Sequence, residues 1–167
     1  MRQMAICWPH EQVLSFVSKH GRAFARVKTP RGLRTHLKRH LGRLEGRCFR
    51  NAMLLALNRP KALWYVEGFC WARVRGAETA EWHPHAWVAL RNYEEDWAVD
   101  PTWAWDGLDS RPYHGIRFDP EFAFMAYKSL RQPHEERGTV PKGGLSLLSH
   151  EEIYQGKIVG LGGRYGS

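Results

Sequence analysis

Cysteine is scarce in this chain, acids are outnumbered by bases, and no hydrophobic run is long. Three of the 167 residues are cysteine, Cys7, Cys48 and Cys70. An odd count with no C-x-x-C spacing argues against a disulfide framework and against a four-cysteine zinc site. No apolar stretch approaches the ~20 residues a membrane helix needs, so no membrane partner is expected. The first ten residues, Met1 to His10, lack the apolar core of a secretory leader. A cytoplasmic protein is the expectation.

Acids number 17 against 25 Lys and Arg, a formal net charge of +8. From Lys19 to Arg50 there are eleven Lys and Arg and one acid, Glu45. A basic run of that kind is either a solvated face or a surface for an acidic partner or nucleic acid, and charge alone does not choose between them.

The length suits one domain, 1–167, large enough to bury a sizeable core. Its parts read as a basic helical N-terminal portion at 1–45, a core motif region at 46–118, C-terminal helices at 119–158 and a glycine-rich mobile tail at 159–167. A first helix spans 10–19 on Val13, Leu14, Phe16 and Val17. A short strand or a basic connection lies around Phe24–Val27. Leu33, Leu37, Leu41 and Leu44 make one stripe of a second helix over 31–44, with Arg34, Lys38, Arg39 and Arg43 largely off it. His36 and His40 are four apart on that helix, but no nearby acid completes a metal site.

After Gly46 a strongly apolar helix opens at Cys48 and stops at Asn58-Arg59-Pro60. Strands follow at 62–69, with a bend at Gly68 and a continuation to Val74, then at His85–Leu90 and Trp97–Asp100, where Pro101 ends the last. Short connections make these an antiparallel meander. Tyr113–Phe118 is a further strand. Asp119-Pro120 starts a helix with Asp as N-cap and Phe122, Met125, Ala126 and Leu130 facing inward. Ser149-His150-Glu151-Glu152 has the form of a capping box.

One constellation carries chemistry. The nucleophilic form of cysteine is the thiolate, and the free N–H groups and dipole of a helix N-terminus favour that anion at Cys48. His85 opens one strand and Asp100 closes the next. In an antiparallel pair those ends lie side by side, so Asp100 can hold one ring nitrogen of His85 while the other serves the thiol. Taken singly, each has a bland reading: a small core residue, a structural histidine, an Asp-Pro turn.

Together they carry a resemblance. Cys48 with Asn51-Ala52, then Tyr65-Val66-Glu67-Gly68-Phe69, then His85-Ala86-Trp87-Val88, then Trp97-Ala98-Val99-Asp100-Pro101-Thr102 resembles, in order and spacing, the bacterial transglutaminase-like branch of the papain-like superfamily. The match covers residues 46–103, about a third of the chain. The helix start, Gly46-Arg47-Cys48-Phe49, departs from the family's Gly-x-Cys-x-aromatic pattern. The resemblance implies an α+β fold with a papain-like core, a central helix packed on an antiparallel sheet, and extra N- and C-terminal helices. It implies Cys48 as nucleophile, His85 as general base and acid, and Asp100 as orienter. No cofactor and no metal are called for, and the implied activity is acyl transfer, by a hydrolase or a transferase, from an amide of a peptide or protein; the alternatives are a non-catalytic binding module of the same fold and a nucleic-acid-associated protein that uses the basic 19–50 segment. Trp8, Gln12 and the Cys48 backbone N–H are candidate oxyanion donors. Arg47, Arg50, Trp87 and Trp103 are candidate substrate contacts.

Overall fold

The computed structural model describes residues 10–27, 31–41, 46–72, 78–91, 96–102, 112–136, 138 and 146–149. Its elements are α1 (His10–His20), β1 (Arg22–Val27), α2 (Arg31–Leu41), α3 (Cys48–Asn58), β2 (Leu63–Ala72), β3 (Glu81–Leu90), β4 (Trp97–Val99), β5 (Tyr113–Phe118) and α4 (Pro120–Glu136), with a short 3-10 helix at Leu147–Ser149.

The helices follow the apolar patterns closely. Val13 and Val17, four apart on α1, are buried. On α2 Leu37 is buried and Leu33 partly so, while Thr35, His36, Lys38, Arg39 and His40 are exposed. Leu44 lies outside the described residues. Gly46 precedes α3 with φ +67, a left-handed conformation that suits only glycine well. Helix α3 buries Phe49, Asn51, Ala52, Met53, Leu55 and Ala56, but leaves Leu54 exposed, so it is covered on one side rather than all round. It stops at Asn58 as expected, without a left-handed cap: among the described residues no non-glycine has a positive φ, and Arg59 leaves the helix at φ -141. Asp119 caps α4, its Oδ1 accepting from the backbone N–H of Glu121 at 2.9 Å and of Phe122 at 3.4 Å. Ala123 and Ala126 form the inner face of α4, whereas Met125 is 54% exposed and points away from it. The helix also runs through Pro133 to Glu136, beyond the loop expected from 132. The proposed capping box at 149–152 falls mostly outside the described residues.

The sheet overturns one expectation. Strands β2, β3 and β4 form the antiparallel meander, with Leu63 to Ala72 opposite Leu90 to Glu81 and Val88 opposite Val99. Strand β5 returns to the free edge of β2, with Tyr65 opposite Phe118 and Cys70 opposite Tyr113. Strand β1 then bonds both remaining edges. Arg22–Phe24 pair antiparallel with β5, and Ala25–Val27 pair parallel with β4. The result is a closed barrel in the order β1-β4-β3-β2-β5. A papain-like core, with a central helix on an open antiparallel sheet, is therefore not the architecture. This is a small α+β domain built on a five-stranded barrel that contains one parallel pair. The physical reason is β1, which changes partner half-way along and removes both edges that an open sheet would leave unpaired.

Alternation along the strands sorts the apolar residues into two layers. Phe24, Val66, Cys70, Ala72, Trp87, Ala89, Ala98 and Tyr113 form one cluster, drawn from all five strands and from no helix, and so fill the barrel. Leu63, Tyr65, Phe69, Ala86, Val88, Ile116 and Phe118 belong to the other, together with Val13, Phe49, Ala52, Leu55 and Ala123 of the helices. That second layer joins the barrel wall to α1, α3 and α4.

Two facing glycines let the inner layer close. A Cβ at Gly115 would lie 2.7 Å from the end of the Trp87 ring and 2.7 Å from the Glu67 carbonyl oxygen. A Cβ at Gly68 would lie 2.1 Å from the His114 carbonyl oxygen. Gly68 and Gly115 are register partners. β2 therefore runs continuously through Gly68 without the expected bend, and the glycine serves close approach instead. Gly68→Ala should lower stability by about 2 kcal/mol or more, since the clash is with backbone that cannot rotate away. A urea midpoint within error of wild type would refute that packing.

Candidate active site

The path of α3 places Cys48. The end of the helix is tied to the start of β2, where the Leu63 N–H donates to the Arg59 carbonyl at 3.0 Å, and Leu63 stands opposite Leu90. From there α3 packs against β3 and β2. Its eleven residues span about 16 Å, the length of about five strand residues. Counted back from Leu90, that distance ends beside His85. Cys48, half-buried at the head of the helix, sits there as a free thiol.

His85 is 1% exposed, and its Nε2 lies 2.7 Å from Oδ2 of Asp100, itself 0% exposed. The thiol of Cys48 lies close enough to act on the ring electrostatically. Burial alone would lower the His85 pKa. The charge of Asp100 first, then the nearby Cys48 and the hydrogen bond to Asp100, outweigh it, and the imidazole is pushed up from 6.5 to about 10. Trp87 stacks on the ring, with centroids 6.4 Å apart and planes 20° apart.

Asp100 is held in turn. Its Oδ1 accepts the backbone N–H of Thr102 at 2.8 Å. Its Oδ2, which faces His85, also accepts the Tyr113 hydroxyl at 2.7 Å. Burial and then the Asp100 charge drive the Tyr113 pKa upward, so the phenol stays neutral and donates. Asn51 lies one helical turn after Cys48, and its Nδ2 donates to Oγ1 of Thr102 at 3.1 Å. That bond ties the helix carrying the thiol to the turn carrying the carboxylate.

A second buried carboxylate lies on the other side of the barrel wall. Glu67, opposite Ala86, accepts from the Tyr65 hydroxyl at 2.5 Å, from Ser146 Oγ at 2.6 Å and from the backbone N–H groups of Leu147 and Leu148 at 2.9 and 3.0 Å. Burial raises its pKa despite these four bonds. The Tyr65 pKa is raised well above its ordinary value by burial first, then by the charge of Glu67 and its hydrogen bond, and also by Cys48.

The structure thus brings together Cys48, His85 and Asp100. Arg47 and Arg50 flank Cys48 and are half-buried. Trp87 is 0% exposed and fills the barrel, so burial removes it from the candidate substrate contacts. Gln12 is exposed on α1. Trp8 and Trp103 lie outside the described residues. The rings of His36 and His40 are 4.2 Å apart, and among the described residues there is no group of three metal-ligating side chains. No helix among them is long and apolar enough to cross a membrane. Sequence reasoning gave no role to Asn51, Thr102, Tyr113 or Glu67. For Tyr113 a signal existed, since it shares the inner face with Trp87 and Cys70 by strand alternation.

No protein-family model, no curated protein and no solved structure matches this chain.

The His85–Asp100 pair makes stability depend on pH in a defined direction. The folded value lies above the unfolded one, so this stabilisation is fully present below about pH 6.5 and is lost as pH rises through about 10. In Asp100→Asn the imidazole loses its anion. Urea unfolding at about pH 6, 8 and 10 should show wild type losing more stability with rising pH than Asp100→Asn. Parallel pH profiles for the two proteins would mean that the residues are not an ion pair.

Proposed function

We propose that the protein is a cysteine-dependent acyl-transfer enzyme of the transglutaminase-like kind, a hydrolase or a transferase, acting on an amide of a peptide or protein. The observation that carries this reading is a single buried imidazole bonded to Asp100, with a thiol at the head of a helix near enough to act on it electrostatically. It is the arrangement nucleophilic catalysis by cysteine requires.

In the first half-reaction Cys48 Sγ, its proton taken up by His85, attacks the carbonyl carbon. The C–O π bond opens to an oxyanion, which the Cys48 backbone N–H at the helix start is placed to receive. The C–N bond then breaks, the nitrogen takes the proton from His85, and an amine leaves a thioester on Cys48. In the second half His85 accepts a proton from water or from an amine as it attacks the thioester. The C–S bond breaks, and an acid or a new amide departs. Asp100 keeps the imidazolium oriented in both halves. Atoms and electrons balance without a cofactor.

Arg47 and Arg50 beside Cys48 favour a substrate segment that carries acidic groups. The free thiols of Cys48 and Cys70 suit a reducing compartment such as the cytoplasm. Cys70 is fully buried, with its thiol directed at the His83 carbonyl at 3.8 Å, and takes no part.

p-Nitrophenyl acetate supplies an activated acyl group for a test. Wild type should release a burst of nitrophenolate and carry acetyl on Cys48 by peptide mass mapping. Cys48→Ala should abolish the burst, and His85→Ala, checked as folded by circular dichroism, should slow acetylation by about 100-fold. Acetylation of Cys48 no faster than that of N-acetylcysteine in the same buffer would sink the proposal.

A further inference from the structure

His85 has to take and release a proton twice per turnover in the proposed reaction, and a general acid works best when its affinity for the proton is matched to the pH of operation. A carboxylate that grips a buried imidazolium makes its proton harder to release. Asp100 is not left alone with His85, however. The same oxygen, Oδ2, receives both His85 Nε2 at 2.7 Å and the Tyr113 hydroxyl at 2.7 Å. Tyr113 is 1% exposed and reaches Asp100 from β5, on the opposite side of the barrel interior from β3. Its ring contacts both His85 and Trp87, at centroid distances of 6.2 and 5.0 Å.

We propose that Tyr113 is a positioning residue of this site. Its hydroxyl shares the Asp100 oxygen with His85 and so weakens the Asp100–His85 ion pair, which eases transfer of the imidazolium proton to the leaving amine. The inference rests on the proposed acyl transfer for its purpose, but its physical content is the competition of two donors for one oxygen. Each donor withdraws charge from that oxygen and weakens its attraction for the other. Thr102 draws on Oδ1 and does not enter this competition directly.

The groups that set the balance come from several elements. Cys48 of α3 and Asp100 after β4 face His85. Cys70 of β2 and Arg26 of β1 act on Tyr113. Tyr65 of β2 lies in the field of Cys48. Of these, Tyr113 donates to the same oxygen that His85 uses.

The test is the titration of the His85 ring nitrogens, followed by nitrogen-15 NMR in histidine-labelled wild type and Tyr113→Phe. The phenylalanine keeps the ring packing and removes only the hydroxyl. The midpoint in Tyr113→Phe should move to higher pH by roughly half a unit or more. Site-specific 3-fluorotyrosine at position 113, a stronger donor of nearly the same shape, should move it the other way. The two opposite shifts are a readout that a merely structural hydroxyl would not produce. An unchanged midpoint in both proteins, or a downward shift in Tyr113→Phe, overturns the proposal. Should Tyr113→Phe fail to fold, the fluorotyrosine protein decides alone, since it preserves the hydrogen bond. The nitrophenyl acetate burst, measured on the same samples, separates the two ideas. If the midpoints shift as expected but wild type gives no burst, the acyl-transfer reading falls and the role of Tyr113 at Asp100 stands. If the burst is present and the midpoints do not move, the reverse holds.

Discussion

Everything in this domain depends on one strand bonding to two others. Strands β2 to β5 alone make a curled four-stranded sheet with β4 and β5 as open edges. β1 spends its first half on β5 and its second on β4, antiparallel on one side and parallel on the other. Closure turns one face of the sheet into an interior that water does not reach. It also forces the residues on that face to be small where the wall is tight and flat where it is not. Gly68 and Gly115 meet across β2 and β5, and the Trp87 ring lies over the space a Cβ would occupy at Gly115. Phe24 of the closing strand completes the packing, edge-on to Trp87 at 5.5 Å.

Into this interior the fold places a histidine, an aspartate and a tyrosine. Taking a charged pair out of water costs several kcal/mol for each ion, and such a pair persists only when its remaining hydrogen-bonding capacity is met. Here Asp100 receives Nε2 of His85, the Tyr113 hydroxyl and the Thr102 N–H. Thr102 is in turn bonded by Asn51, one turn along from Cys48. The chain of bonds therefore runs from the barrel interior, through a turn, to the helix outside. The thiol is positioned relative to the imidazole by this link as well as by packing. An apolar pair would fill the same volume at lower cost, which fits the role proposed for this pair in acyl transfer.

Much of this could be read in the sequence, and the parts that could not share a cause. The start of α3 at Cys48 followed from Gly46 and the apolar run after it. The antiparallel pairing of the strands that carry His85 and Asp100 followed from their short connections, although His85 was expected to open its strand and β3 begins earlier, at Glu81. These are local signals. Closure of the barrel is not local. A short strand around Phe24–Val27 was legible, but nothing in its spacing points to two partners, or to strands some 70 to 90 positions later. Trp87 was open to misreading for the same reason. In an open sheet it would be available to a substrate, but in a closed barrel its face is the inside. Tyr113 and Asn51 act through partners that only the tertiary fold supplies.

The two buried carboxylates show how the wall of the barrel divides labour. Glu67 and Asp100 lie on opposite faces of the sheet, and Glu67 is the neighbour of Gly68, which stands opposite His85. Glu67 meets only neutral donors: a phenol, a serine hydroxyl and two backbone N–H groups at the start of the 3-10 helix. Among the described residues no cation offsets its burial there, and its pKa rises. Asp100 meets an imidazole. A carboxylate satisfied by neutral donors can anchor a segment, and Glu67 fastens residues 146–148 to β2. It gives a nearby histidine no counter-charge on the inner face, because the sheet backbone lies between them. Proton chemistry needs the other arrangement, with the anion and the cation on the same face and the anion's charge shared among donors. The glycine pair at 68 and 115 lets both exist within one wall, since it keeps β2 and β5 close while Glu67 faces the helices and His85 faces Asp100.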